Sequence, residues 1–279
     1  MWVGQQLADG LDFWGFLGSL ILGGIILGIY TGLLGYVSAK TGLSLDLLSQ
    51  RAFGEKGSYL PSAMTSFTQI GWFGVGSFVS GGTATPNFAR FAKNGKAGAI
   101  TTVVAFFIGN SLMFFFGAVS SIFVGGNDIF EVMVRLNLFY LAVLVLGLNI
   151  WTTNDNALYT AGLGLANIFH QRKKPMVLLS GIIGTVASVW LYYNFCGWLN
   201  ILNCTLPPVG MILVLAYFMN KEDFETDQPK LKTIDWFAVA GVILGAIVAN
   251  LLHWGIASIN GMVVAAVCYC VGQAVNKRK

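Results

Sequence analysis

The sequence predicts an all-α, polytopic helical membrane protein, and three observations carry that reading. Of its 279 residues 56% are hydrophobic and only 10% charged, with a mean hydropathy of +0.71. A soluble domain carries about 25% charged residues to cover its surface, and a bilayer removes that need. The apolar residues also gather into runs long enough to cross hydrocarbon, for which roughly 20 residues are needed. The runs are continuous, whereas barrel strands would alternate over about ten residues, so helices are expected rather than strands.

About eight hydrophobic segments emerge in order: Phe13–Ala39, Leu60–Ala89, Ala97–Val124, Leu136–Ile168, Met176–Tyr193, Phe195–Met219, Trp236–Leu252 and Ile259–Val275. The first carries Gly24, Gly28 and Gly32, whose spacing of four makes one close-packing face. The sixth contains Leu206-Pro207-Pro208-Val209-Gly210, where proline removes a donor and predicts a kink or hinge. The longest polar stretch, Asn220–Asp235, reads as a loop. The whole chain, 1–279, reads as a single transmembrane domain.

Basic residues follow the first, second, fourth and sixth segments and end the chain at Lys277, Arg278 and Lys279. Lysine and arginine favour the cytoplasmic side, so a multi-pass protein of the cell membrane with a cytoplasmic C-terminus is expected. Leu60–Ala89 breaks the pattern, since Lys56 precedes it and Arg90, Lys93 and Lys96 follow it. A re-entrant element, a misplaced basic loop or a stretch missing from its middle would each account for that.

The net charge of +4 is spread over short inter-segment clusters, with no basic stripe of interleaved aromatics, so no nucleic-acid partner is expected. Cys196, Cys204, Cys268 and Cys270 lie in or beside apolar runs without metal-ligand spacing and read as small apolar fillers. The N-terminus has Asp9 and Asp12 in place of a basic n-region, so no signal peptide is expected. No nucleophile is paired with a base, and His170 and His253 sit at segment ends, so an enzyme is not expected. No cofactor is expected either.

Two polar clusters interrupt the apolar segments. In Asn149-Ile150-Trp151-Thr152-Thr153-Asn154-Asp155-Asn156, six of eight residues are polar, in mid-segment. Such groups are costly in a bilayer unless they face a bundle interior or cavity. The Thr152 and Thr153 hydroxyls and the Asn149 carbonyl are hard oxygen donors suited to a sodium ion. The second cluster is Gln69-Ile70-Gly71-Trp72-Phe73-Gly74-Val75-Gly76-Ser77-Phe78. Aromatic faces and an amide suit a planar heterocycle, stacked on a ring and hydrogen-bonded along its edge. Glycines there would let a helix unwind toward a ligand.

At these residues the chain resembles the cytosine permeases of the nucleobase–cation symporter-1 family. The run Gly147–Ala157 carries the resemblance most specifically, with support from Gln69–Phe91, Gly109–Gly117, Val145–Asn167 and Gly181–Gly210. The resemblance implies a partial leucine-transporter-like fold, with inverted repeats around a midplane site. It implies secondary active import of cytosine or a related nucleobase, coupled to sodium or another cation. By position, Gln69 and Trp72 resemble a substrate-contacting pair, Gly76, Ser77 and Phe78 resemble contacts from a broken span, and Asn154 resembles an amide that reads the base. Asn149, Thr152 and Thr153 resemble one helix's share of a sodium site.

Two departures from the family pattern are expected to matter. Met1-Trp2 resembles the end of the family's first span, so a truncated start is expected. Gly71–Gly76 resembles a third span while Ser77 onward resembles a sixth, which puts an apparent junction at 76–77 and roughly three spans out of the chain. An odd number reverses topology and matches the charge conflict around Leu60–Ala89. Gln69 and Ser77 would stand about 12 Å apart on a continuous helix. A non-transporting remnant or structural membrane protein is therefore the alternative expectation.

Overall fold

A computed structural model describes residues 12–75, 84–125, 129–226, 229, 231–252 and 254–276. Every regular element among them is helical. In chain order these are α1 (Phe13–Thr41), α2 (Leu45–Phe53), α3 (Tyr59–Val75), α4 (Pro86–Ala89), α5 (Gly95–Val104), α6 (Asn110–Val124), α7 (Ile129–Arg135), α8 (Phe139–Phe169), α9 (Lys173–Tyr193), α10 (Phe195–Met219), α11 (Lys221–Glu225), α12 (Trp236–Leu251) and α13 (Ala257–Asn276). A π-helical turn, Ala105–Gly109, joins α5 to α6.

The chain is a helical, polytopic membrane protein. Among the described residues, five stretches are long and apolar enough to cross a bilayer: Phe13–Thr41, Gly95–Val124, Lys173–Leu191, Gly197–Met219 and Ala257–Asn276. Trp236–Leu251 is apolar but shorter. The remaining two expected segments become α3, 17 residues long, and α8, 31 residues long with the polar run at its middle. Leu60–Ala89 is not one described helix: α3 reaches Val75, α4 begins at Pro86, and residues 76–83 lie outside the described ones. Large apolar side chains such as Leu22, Ile29, Val186 and Val267 point outward, as a lipid-facing surface requires.

Local signals set the helix ends. Asp12 caps α1 by accepting from the Gly15 N–H at 3.1 Å, and α1 stops where Gly42 turns left-handed at φ 71°. Asp235 caps α12 by accepting from the Phe237 and Ala238 N–H groups, each at 3.2 Å. The turn after α2 is pinned to the segment before α12. Glu55 and Lys56 N–H donate to the Lys232 and Thr233 carbonyls at 2.8 and 2.9 Å, and Asp235 N–H donates to Phe53 O at 2.6 Å.

The glycine face of α1 packs on α5 and the π turn. A Cβ on Gly32 would lie 2.6 Å from Val103 Cγ2, and one on Gly35 would lie 3.0 Å from the Gly98 carbonyl oxygen. The main core gathers Leu34, Leu48, Phe53, Ile212, Tyr217 and Tyr269, where α1, α2, α10 and α13 meet. α10 continues through Pro207 and Pro208 from Phe195 to Met219. The Pro208 ring occupies a notch beside Gly245 and Gly261, whose added Cβ atoms would lie 3.3 and 3.2 Å from its Cγ.

Candidate functional site

The π turn and the polar middle of α8 border the same space. α3, α4, α5, the π turn and α8 line a partly open cavity of about 600 Å³. Gln69 lines it from α3, and Asn149, Thr152 and Thr153 line it from α8. Sequence-predicted residues from both clusters thus meet at one cavity.

Small residues bring α3 and α8 together. Gly164 has no side chain where Ser66 and the Ser62 carbonyl approach, and a Cβ there would lie 2.8 Å from Ser62 O. Ser66 Oγ donates to the Ala161 carbonyl at 3.1 Å. On the other side of α3, the Trp198 indole lies against Gly71. Gln69 sits between these two contacts on the helix and is 7% exposed.

Helix periodicity explains which polar residues face the cavity. Asn149, Thr152, Thr153, Asn156 and Thr160 recur at helical spacing and all line it. Asn154 follows Asn149 by five residues, about 140° around the helix, and is not part of the lining. Its Oδ1 is buried without a hydrogen-bond partner. Trp72 lies in the last turn of α3, and its side chain is outside the described ones. Gly76, Ser77 and Phe78 also fall outside the described residues.

The α8 donors have the chemistry a sodium ion needs. Thr152 Oγ1 donates to the Leu148 and Asn149 carbonyls at 3.1 and 3.0 Å, which turns its lone pairs outward. With Thr153 beside it, that face offers neutral oxygens suited to a hard monovalent ion. Among the described residues, no three His, Cys, Asp or Glu side chains gather to hold a metal.

The lining residues outside the expected set are chiefly Thr85 and Phe88 on and beside α4, Thr102 on α5, and Asn156 and Thr160 on α8. Extending the polar spacing of 149, 152, 153 and 156 by one more turn reaches Thr160. No local pattern marks Thr85.

A polar network ties the basic end of the bundle together. Ser62 Oγ donates to Asp46 Oδ1 at 2.6 Å, Asn167 Nδ2 donates to Ser62 Oγ at 2.9 Å, and Gln50 Nε2 donates to Asn167 Oδ1 at 2.6 Å. Burial pushes the Asp46 carboxyl up to about 6, against the Ser62 hydrogen bond and the Arg90 charge, which lower it. Arg90 Nη2 donates to the Tyr159 hydroxyl at 2.6 Å, and the Tyr59 hydroxyl pairs with His170 Nε2 at 2.7 Å.

Comparison with known proteins points the same way as the cavity. A family described as "Permease for cytosine/purines, uracil, thiamine, allantoin" matches residues 1–84 and 74–275, in two pieces that overlap. The chain is 35% identical to the cytosine permease of Escherichia coli (strain K12) over 372 residues, covering 100% of this chain and 88% of that protein. The same figures hold for the cytosine permease of Escherichia coli O157:H7. The allantoin permease of Bacillus subtilis (strain 168) is 33% identical over 82 residues, 29% of this chain and 16% of that protein.

Proposed function

This chain belongs to the family of permeases for cytosine/purines, uracil, thiamine and allantoin, and from that premise we propose that it takes up cytosine by sodium-coupled secondary transport. The family consists of membrane permeases for nucleobases and related small molecules rather than enzymes. The observation that carries the finer reading is the single cavity where Gln69 of α3 meets Asn149, Thr152 and Thr153 of α8. Gln69 offers both a donor and an acceptor to a base edge. By the resemblance, Trp72 is assigned the stacking face, and Gly76, Ser77 and Phe78 further contacts to the base. Asn154 reads a further edge atom once α8 rotates in the cycle, which would also satisfy its buried Oδ1.

Sodium acts as a co-substrate. Thr152, Thr153 and the Asn149 carbonyl hold part of its shell, and bound sodium raises the affinity of the outward-facing state for cytosine. A cell-membrane location follows from this reading, and the basic ends of α1 and α9 together with the Arg90 segment support a cytoplasmic side for that face and the C-terminus.

A second reading is favoured by the alignment. It runs over 372 positions for a chain of 279 residues, and the family match breaks within 74–84. That supports an internal junction at 76–77, and a chain without those spans would keep the site and lose the alternation that moves substrate. Labelled-cytosine uptake in cells lacking their own permease, with and without a sodium gradient, decides between the two. Sodium-dependent uptake competed by unlabelled cytosine establishes transport. Absence of uptake, with the chain confirmed in the membrane, leaves the remnant.

A further inference from the structure

Asp46 is a carboxyl sealed into the basic end of the bundle. It stands in the first turn of α2 and is 6% exposed. Its side-chain hydrogen bond is the end of a chain with one direction. Gln50 donates to Asn167, Asn167 donates to Ser62, and Ser62 donates to Asp46. Each donor points toward the carboxyl, which favours the ionised form. Burial favours the neutral form and is the larger effect, pushing the carboxyl up to about 6.

Arg90 is the charge that acts on Asp46. It arrives by way of α4. The Leu45 N–H, next to Asp46, donates to Asn87 Oδ1 at 2.9 Å. Arg90 follows Asn87 by three residues in helical backbone, at φ −58° and ψ −20°, so both look to the same side. Among the described residues, however, the two do not form an ion pair. The guanidinium goes instead to the Tyr159 hydroxyl at 2.6 Å, where Lys173 Nζ already lies 3.4 Å from the ring centroid. Two cations share one tyrosine and repel each other. Arg90 Nε is buried without a hydrogen-bond partner. Arg90 thus holds a neutral acceptor and keeps an unused donor beside a carboxyl that its charge already reaches.

The other ionisable groups around α2 are engaged or in solvent. Tyr59 pairs with His170, Glu225 meets Lys40 and Tyr217, Asp235 meets Lys232, and Arg51 donates to the Asp223 carbonyl. Glu55, Lys56, Lys221, Glu222 and the Asp223 side chain are exposed.

We propose that Asp46 is a proton site that moves the α4 wall of the cavity by exchanging Arg90 between two acceptors. With Asp46 protonated, Arg90 stays on Tyr159, and the Phe88 ring stays 6.1 Å from the Tyr159 ring, as in this structure. With Asp46 ionised, the carboxylate draws Arg90 off Tyr159. Pro86 and Asn87 remain tied to Ser38 and Leu45, so the displacement falls on Phe88 and the turn after it. Phe88, Ala89 and Ala92 line the cavity, so its wall changes with them. The proton passes between Asp46 and water at the basic face. The link to a ligand rests on the nucleobase reading above: cytosine prefers the complete wall, and its binding takes up a proton at Asp46.

The test uses the full chain in lipid nanodiscs at fixed sodium, at pH 5.5 and pH 7.5. Phe91 and Ala92 N–H donate to the Phe88 and Ala89 carbonyls at 3.3 and 3.0 Å, so hydrogen exchange over residues 88–92 reads the wall without any ligand. Corrected for intrinsic pH dependence, protection should be about fivefold greater at pH 5.5. Asp46→Asn should hold the higher protection at both pH values, and Tyr159→Phe the lower. Cytosine binding should be about fivefold tighter at pH 5.5, with no such step in Asp46→Asn. A change that came from the titration of the base itself would persist in that variant. Equal protection at the two pH values overturns the proposal, and so does a protection step that survives in both variants. A protection step with pH-independent cytosine binding overturns the link to the cavity and leaves the nucleobase reading intact. A protection step in a chain that binds no cytosine supports the proton site and overturns the nucleobase reading.

Discussion

Gly71 of α3 and Trp198 of α10 share one volume: a Cβ on Gly71 would lie 2.6 Å from Trp198 Cε2 and 3.0 Å from Cη2. Trp198 is 3% exposed and belongs to the cluster with Ala157, Leu191, Leu202 and Leu206. Its indole has nowhere to retreat. Gly71→Ala should therefore push α3 off α10 and displace Gln69, two residues away. Overpacking of this kind costs about 1–3 kcal/mol. Thermal unfolding in detergent should show a lower midpoint and weaker cytosine binding together. An unchanged midpoint would show that the indole is not confined.

Thr152→Val and Thr153→Val keep side-chain shape and remove the hydroxyl oxygen. Each should raise the sodium concentration for half-maximal cytosine binding by about tenfold, with binding largely recovered at saturating sodium, through the linkage between the two ligands. A sodium titration of cytosine binding reads this directly. Equal loss at all sodium concentrations would instead place the threonines against the base.

Asp46 gives the protein a signed pH response. Burial raises its carboxyl from 3.8 to about 6 in the folded state, so the folded state holds the proton more tightly than the unfolded one. Its contribution to stability is full below pH 3.8 and is lost as pH rises to about 6. The loss amounts to about 3 kcal/mol. Asp46→Asn keeps a side-chain oxygen for Ser62 and removes the ionisation. The variant should unfold at a higher temperature than the parent at pH 7, and the difference should shrink toward pH 4. A difference that does not change with pH would refute the assignment.

Tyr159→Phe removes the acceptor for the Arg90 guanidinium, whose hydrogen bond spans 2.6 Å. Hydrogen bonds to charged groups contribute about 1.5–3 kcal/mol. The variant should lose stability on that scale. An unchanged thermal unfolding midpoint would show that the hydrogen bond contributes nothing to the fold.

Much of the helical layout was legible in the sequence because continuous apolar runs can satisfy their backbone only as helices in a bilayer. The α1 glycine stripe was legible as packing for the same reason. Asn149, Thr152 and Thr153 could be singled out because polar residues in mid-span need a cavity. Thr85 carried no such signal, because it comes to the cavity only through the packing of α4 beside α5 and α8. The kink or hinge expected at Pro207-Pro208 falls inside α10, which continues through both prolines. Its packing partners Gly245 and Gly261 lie on two other helices, out of reach of a local reading. Asn154 belongs to the polar run by sequence, but helical rotation carries it away from the cavity.

The turn after α2 and the segment before α12 are joined by backbone hydrogen bonds although about 180 residues separate them in sequence. A ribosome at work releases the first of these long before the second exists. The carbonyl of Phe53 and the N–H groups of Glu55 and Lys56 must then wait, solvated at the membrane surface, until Lys232–Asp235 emerges. Closure of that loop is a late event in biogenesis, and it carries α12 and α13 onto Pro208 and the Tyr217 core as one hairpin. Nascent chains halted before Asp235 would present an unfinished turn and an uncovered face of α10.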